Sequence, residues 1–127
     1  MLVGIDGQMA TGLHQAGQPI PAPIQAKASL DPGSNVTCVA ANILQRLGLS
    51  SSGQTTTQSI QGTAFVNLFV VSLSLLGPTG VVLTESDLQV MELSQPLSGI
   101  EVLVGRDILP GCFLIVDGPQ RSVTLAT

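Results

Sequence analysis

Apolar and polar positions alternate with a period of two along most of this chain, and that alternation predicts a mostly β protein. In residues 24–30, Ile24, Ala26, Ala28 and Leu30 fall on one face and Gln25, Lys27 and Ser29 on the other, so a half-buried strand is expected there. Residues 88–93 alternate in the same way, and 100–104 is apolar enough for a central strand. Residues 55–60 and 63–76 read as two strands joined near Gln61-Gly62, with glycine free to take the left-handed position a tight hairpin needs. Shorter strands are expected at 1–5, 36–39, 81–83, 112–116 and 122–125, with turns at 76–80 and 117–119 and a connection at 95–99. Only 40–47 has helical spacing, with Ile43, Leu44 and Leu47 on one side and Gly48 as a cap, so one short helix covering an end of the sheet is expected. Gly7 and the polar residues after it read as a turn, His14 as part of a loop, and the proline-rich run 18–23 as extended chain. The sum is a single barrel-like domain spanning 1–127.

Composition narrows the function classes. Apolar residues make up 44% of the 127 and charged residues 9%, which suits a compact fold with its own core. The net charge is −4 and the only cations are Lys27, Arg46, Arg106 and Arg121, too few for phosphate neutralisation, so nucleic acid is not an expected partner. Trp and Tyr are absent, which removes stacking platforms for bases and sugars. Cys38 and Cys112 sit in apolar settings and read as buried reduced thiols. With His14 as the single histidine and no Cys-x-x-Cys, no metal site and no cofactor is expected. The run 64–76 is too short and too often broken by Asn67, Ser72 and Ser74 to span a bilayer as a helix. No signal peptide is recognisable, so a cytoplasmic protein, or a domain of a longer one, is expected.

The chemistry concentrates on residues 28–37, where an apolar strand delivers Asp31 to the turn Asp31-Pro32-Gly33-Ser34 and a β-branched run leads away. Taken alone that is a good β-turn, because proline presets φ at its second position and glycine tolerates positive φ at its third. Far downstream lies Leu103-Val104-Gly105-Arg106-Asp107-Ile108, which alone reads as a strand end with a solvated ion pair. Between them sits the hairpin centred on Ser59, Ile60, Gln61, Gly62 and Thr63.

In that order the three pieces resemble the retropepsin-like aspartic peptidases, over about residues 3–125. The family runs an apolar strand into Asp-Thr-Gly-Ala/Ser, then a flap hairpin, then a hydrophobic-hydrophobic-Gly-Arg-Asp/Asn segment. The resemblance implies a closed one-lobe acid-protease β-barrel and a homodimeric endopeptidase acting on protein or peptide substrates. Asp31 is its catalytic carboxylate, and Pro32, Gly33, Ser34 and Asn35 form its active-site loop. Gly33 donates an N–H toward Asp31, Ser34 steadies the outer carboxylate oxygen, and residues 59–63 form the flap. Gly105, Arg106 and Asp107 are the structural motif, Gly105 passing close behind the active-site loop. Arg106 meets a neutral amide at Asn35, where the family has an acid.

One Asp-x-Gly motif supplies half of a two-carboxylate site, so a catalyst of this type must be a two-fold dimer. Pro32 departs from the family, whose Thr or Ser at that place cross-links the two loops; proline has neither the hydroxyl nor the N–H. The alternatives are therefore a catalytically impaired relative serving as a dimerisation or peptide-binding module, and an ordinary β domain whose Asp-Pro-Gly-Ser is only a turn.

Overall fold

The computed structural model describes residues 1–95 and 98–126, apart from the side chain of Ser59. It is mostly β, with ten strands and two helices among the described residues. Part of the connection expected at 95–99, residues 96–97, lies outside them.

The first strand, β1 (Leu2–Ile5), buries Val3 and Ile5 and leads into α1 (Gly7–Gln15). This helix replaces the expected turn, and His14 lies in its last turn, not in a loop. Its start is fixed by Asp6, in extended conformation, whose Oδ1 accepts the Met9 N–H at 2.8 Å. Met9, Ala10 and Leu13 then fall on one side and pack against the core. Residues 24–30 follow as β2 (Ile24–Gln25) and β3 (Ala28–Leu30). The chain continues through β4 (Cys38–Ala40) into α2 (Ala41–Arg46), whose Ile43 and Leu44 are buried along with the adjoining Leu47. Gly48, at φ +70°, ends α2 with the Leu49 N–H on the Leu44 carbonyl and its own on Gln45.

Three long strands make the frame. β5 (Gly53–Ser59) and β6 (Gly62–Gly77) form a hairpin turning at Ile60-Gln61, with Gly62 at φ +120°. β6 then turns into β7 (Gly80–Leu93), which unites the two strands expected at 81–83 and 88–93. One edge of β6 carries β5 along its first half and β1 along its second, while the other edge pairs β7. Phe69, Val71 and Leu73 point inward at every second position, as a one-sided sheet requires. β8 (Val102–Val104) is followed by the closing pair β9 (Phe113–Asp117) and β10 (Ser122–Ala126).

The large sheet has the order β2-β1-β6-β7-β4-β8-β3, with β5 on β6, and it curls into a half-barrel. Its two ends, β2 and β3, are successive parts of one extended segment. Ala26 exchanges bonds with Met1 (2.7 Å and 3.0 Å) on one side, while the Lys27 carbonyl accepts the Glu101 N–H at 2.9 Å on the other. The core fills the concave side, with Val3, Val39, Leu44, Val71, Val90 and Val104 fully or almost fully buried. β9 and β10 form a separate two-stranded sheet. Among the described residues no helix is long and apolar enough to cross a membrane.

Candidate active site

Asp31 sits one residue past β3, and β3 runs parallel to β8 in the register Leu30↔Val104. The Asp31 N–H donates to the Val104 carbonyl at 2.8 Å, so the strand that delivers the carboxylate is pinned up to its last residue. Proline at 32 and glycine at 33 then make the β-turn, closed by the Ser34 N–H on the Asp31 carbonyl at 3.1 Å. Within it the Gly33 N–H donates to Asp31 Oδ1 at 3.0 Å. Asp31 is half-buried, whereas Pro32 and Gly33 are exposed. The Ser34 hydroxyl does not turn toward the carboxylate; it donates to the Val36 carbonyl at 2.7 Å, the acceptor its own turn presents.

The second motif meets the first at close quarters. A Cβ placed on Gly105 would lie 2.7 Å from the Val36 carbonyl carbon, 2.8 Å from its oxygen and 3.0 Å from the Ser34 oxygen. Only a residue without a side chain lets the two backbones approach this way. The Arg106 N–H donates to the Ser34 carbonyl at 2.8 Å, and its guanidinium Nη2 donates to Asn35 Oδ1. Asp107 is turned inward: Oδ2 accepts the Thr37 N–H at 2.9 Å and Oδ1 accepts the Thr37 hydroxyl at 2.7 Å. The Thr37 oxygen in turn accepts the Gly105 N–H at 3.0 Å. Arg106 and Asp107 thus face different partners on the 31–37 loop, and the solvated pair that residue types alone suggest is absent.

Thr37 is the residue to which the motif assigned no role. It is fully buried, and its hydroxyl accepts from Gly105 and donates to Asp107, which ties the 31–37 loop to both ends of the Gly105-Arg106-Asp107 motif. The signal was present in the sequence: a threonine inside an apolar β-branched run must pair its hydroxyl once buried.

No protein-family model and no curated protein matches the chain.

Residues 59–63, expected to form a flap, lie apart from this cluster in sequence and occupy a β-hairpin tip. Ser59 and Gly62 pair across the turn, Ile60 is fully exposed, and Gln61 and Thr63 are exposed. Lower on the hairpin, Thr55 and Thr56 face Val36, Leu68, Leu88, Met91 and Asp107 across a groove of about 500 Å³. Strand β5 and the loops carrying Val36 and Asp107 therefore share one hollow, lined by apolar side chains together with Thr55, Thr56, Gln89 and Asp107. Among the described residues no three His, Cys, Asp or Glu side chains gather as a metal site would need.

Both cysteines are free thiols; Cys38 is buried and Cys112 only half-buried, which corrects the expectation that both are enclosed. Burial, then the charges of Asp107 and Asp31, push the Cys38 thiol above its ordinary value of 9.0. Because the folded protein then holds that proton to higher pH than the unfolded chain does, stability is undiminished below 9.0 and falls as pH rises beyond it. In a native thiol-labelling experiment at mildly alkaline pH, Cys112 is expected to react first and Cys38 only on unfolding. In Cys38→Ala the loss of stability above that pH should be shallower in denaturant titrations. Equal labelling of both thiols in the folded protein would contradict the burial argument.

Proposed function

We propose that this chain is an aspartic endopeptidase of the retropepsin type, working as a homodimer that cuts protein or peptide substrates without metal or cofactor. The observation that supports it best is the way the Asp31 turn is held. It is pinned by Val104, backed by the side-chain-free Gly105, and braced by Arg106 on Asn35 and Asp107 on Thr37. A merely connecting β-turn needs none of that bracing; a carboxylate that must keep a fixed position does, since small misplacements cost rate steeply.

In this reading the curled sheet is one lobe of an acid-protease fold, its barrel closed along residues 24–30, and the two Asp31 carboxylates of a dimer hold one water. Like charges at hydrogen-bond distance do not both ionise, so the pair shares a proton. The ionised member takes a proton from the water as its oxygen bonds to the scissile carbonyl carbon, and the protonated member gives its proton to the carbonyl oxygen. The first member then gives its proton to the leaving nitrogen, the C–N bond breaks, and a hydroxyl of the tetrahedral diol passes its proton to the second member, which restores the singly protonated pair. The hairpin tip at Ile60-Gln61 closes over the substrate, a motion that exposed residues with few buried contacts make inexpensive. Free thiols suit the reducing cytoplasm.

Pro32 favours a second reading, a dimerisation or peptide-binding module that has lost turnover. The ring removes both the hydroxyl and the N–H through which two such loops can bond each other. Cleavage of an unfolded protein substrate, followed from acid to neutral pH for the wild type and Pro32→Thr, separates the two. The enzyme reading expects cleavage by the wild type, strongest at acid pH. Cleavage by Pro32→Thr alone establishes the second reading, and a dimeric preparation in which neither protein cuts overturns the first.

A further inference from the structure

Asp31-Pro32 is the single aspartyl-prolyl bond of the chain. The proline nitrogen belongs to a tertiary amide, so it is more basic than an ordinary peptide nitrogen and leaves more readily once protonated. It also carries no N–H. Where an aspartate is followed by an N–H, as at Asp6-Gly7 and Asp117-Gly118, that nitrogen can attack the side-chain carbon and close a succinimide. At Asp31 this route is shut, and the five-membered ring forms the other way round, with a carboxyl oxygen on the backbone carbonyl carbon. Three features of the turn favour that closure. The Gly33 N–H holds Asp31 Oδ1 at 3.0 Å, which keeps the carboxyl group toward the bond to Pro32. The Ser34 N–H bonds to the Asp31 carbonyl oxygen at 3.1 Å, and negative charge grows on that oxygen when its carbon is attacked. Pro32 is exposed, so water reaches the bond. The charged and titratable groups beside the turn are engaged elsewhere, Arg106 with Asn35, Asp107 with Thr37 and Cys38 with the Val36 carbonyl. Lys27 precedes β3, and Asp117 and Arg121 lie at the turn of the β9–β10 hairpin, so among the described residues no cation is bonded to the Asp31 carboxyl.

We propose that the Asp31-Pro32 bond is a built-in scission site, at which acid makes the chain cut its own backbone inside the turn. Asp31 Oδ2 bonds to the Asp31 carbonyl carbon while the proton of the carboxylic acid passes to the Pro32 nitrogen. The C–N bond then breaks with its electron pair on nitrogen, and a cyclic anhydride is left on Asp31. Water opens the anhydride. The products are a chain ending in Asp31 with two free carboxyl groups and a chain beginning at the Pro32 amine; one water is consumed, and nothing is oxidised or reduced. The step needs no second subunit, so it stands apart from the paired-carboxylate reading. In the enzyme proposed above it severs β3 from the 31–37 loop, so the acid that favours turnover also ends it.

The test holds the full chain at a series of pH values from neutral to acid and follows the fragments 1–31 and 32–127 by intact-mass spectrometry, with far-UV circular dichroism as a check on folding. The expected result is a first-order clip at this bond that quickens toward acid and has the same rate constant at low and high protein concentration. At the most acid pH that keeps the fold, it should run about tenfold faster than in guanidinium chloride at the same pH, the scale of the freedom one residue loses when fixed. Pro32→Thr, which restores a secondary amide, should clip about 100-fold more slowly, and Asp31→Glu, whose longer arm must close a six-membered ring, about tenfold more slowly. Should either variant misfold, the concentration and denaturant comparisons on the wild type decide the matter. A rate that rises with protein concentration marks one molecule cutting another and overturns the proposal. So does a folded chain that clips no faster than the unfolded one, or a bond that stays whole in acid. Activity on an unfolded protein substrate, read in parallel, keeps the two ideas apart. Scission in a chain that cuts no substrate leaves this site and removes the enzyme. Asp31-dependent cleavage by a chain whose own bond stays whole leaves the enzyme and removes this site.

Discussion

Peptide cleavage is expected to fall by about three to four orders of magnitude in Asp31→Asn, the scale of losing a group that both takes and gives the reaction's proton. Asparagine has the same shape, and its Oδ1 still accepts the Gly33 N–H that Asp31 Oδ1 accepts now. The turn and its attachment to Val104 through the backbone are untouched, so the variant should melt within about 1 kcal/mol of the wild type. A dimer of the proposed kind should be no weaker, because two neutral amides would replace a pair of carboxylates that repel unless they share a proton. The measurement is a rate of substrate loss beside a solution mass. Undiminished cleavage by the asparagine variant sinks the proposed mechanism, while lost cleavage with a lost dimer points to a structural role for Asp31.

Gly105→Ala is expected to cost about 3 kcal/mol of folding stability, at the upper end of what one inserted methyl group does. Most overpacked sites relax by moving a side chain. Here the new methyl meets three backbone atoms, two of Val36 and one of Ser34, between 2.7 and 3.0 Å away. The strand and the loop must then separate, which strains the Arg106 N–H to Ser34 bond and the Gly105 N–H to Thr37 bond, each worth about 1 kcal/mol. Chemical denaturation followed by far-UV circular dichroism is the suitable readout, since the chain has no Trp or Tyr to report by fluorescence. Wild-type stability in this variant would mean that the two segments are not packed as described.

How much of this was legible in the sequence depends on whether the signal was local. The strand before Asp31 declared itself because Ile24, Ala26, Ala28 and Leu30 alternate with polar neighbours, and α2 because Ile43, Leu44 and Leu47 recur at helical spacing. α1 was hidden by Gly7, Thr11 and Gly12, poor helix formers that dilute the spacing of Met9, Ala10 and Leu13, although Asp6 carried the capping signal. β7 read as two strands because Thr84, Glu85, Ser86 and Asp87 interrupt the apolar pattern; β6 carries them through, with a register shift between Val71 and Leu73. The parallel pairing of β3 with β8 joins residues more than seventy positions apart, and nothing in either segment alone names the other. For the same reason the Thr37 hydroxyl and the inward turn of Asp107 emerge only when the two loops are brought together.

The run from Ile24 to Leu30 serves as a seam, stitched to Met1 on one flank and to Glu101 and β8 on the other. A seam cannot fray by itself, because releasing it frees both margins of the sheet at once. Its buried amides should therefore exchange with solvent only when the whole domain opens. The carboxylate at its end inherits that permanence, since the Asp31 N–H is itself bonded to the Val104 carbonyl.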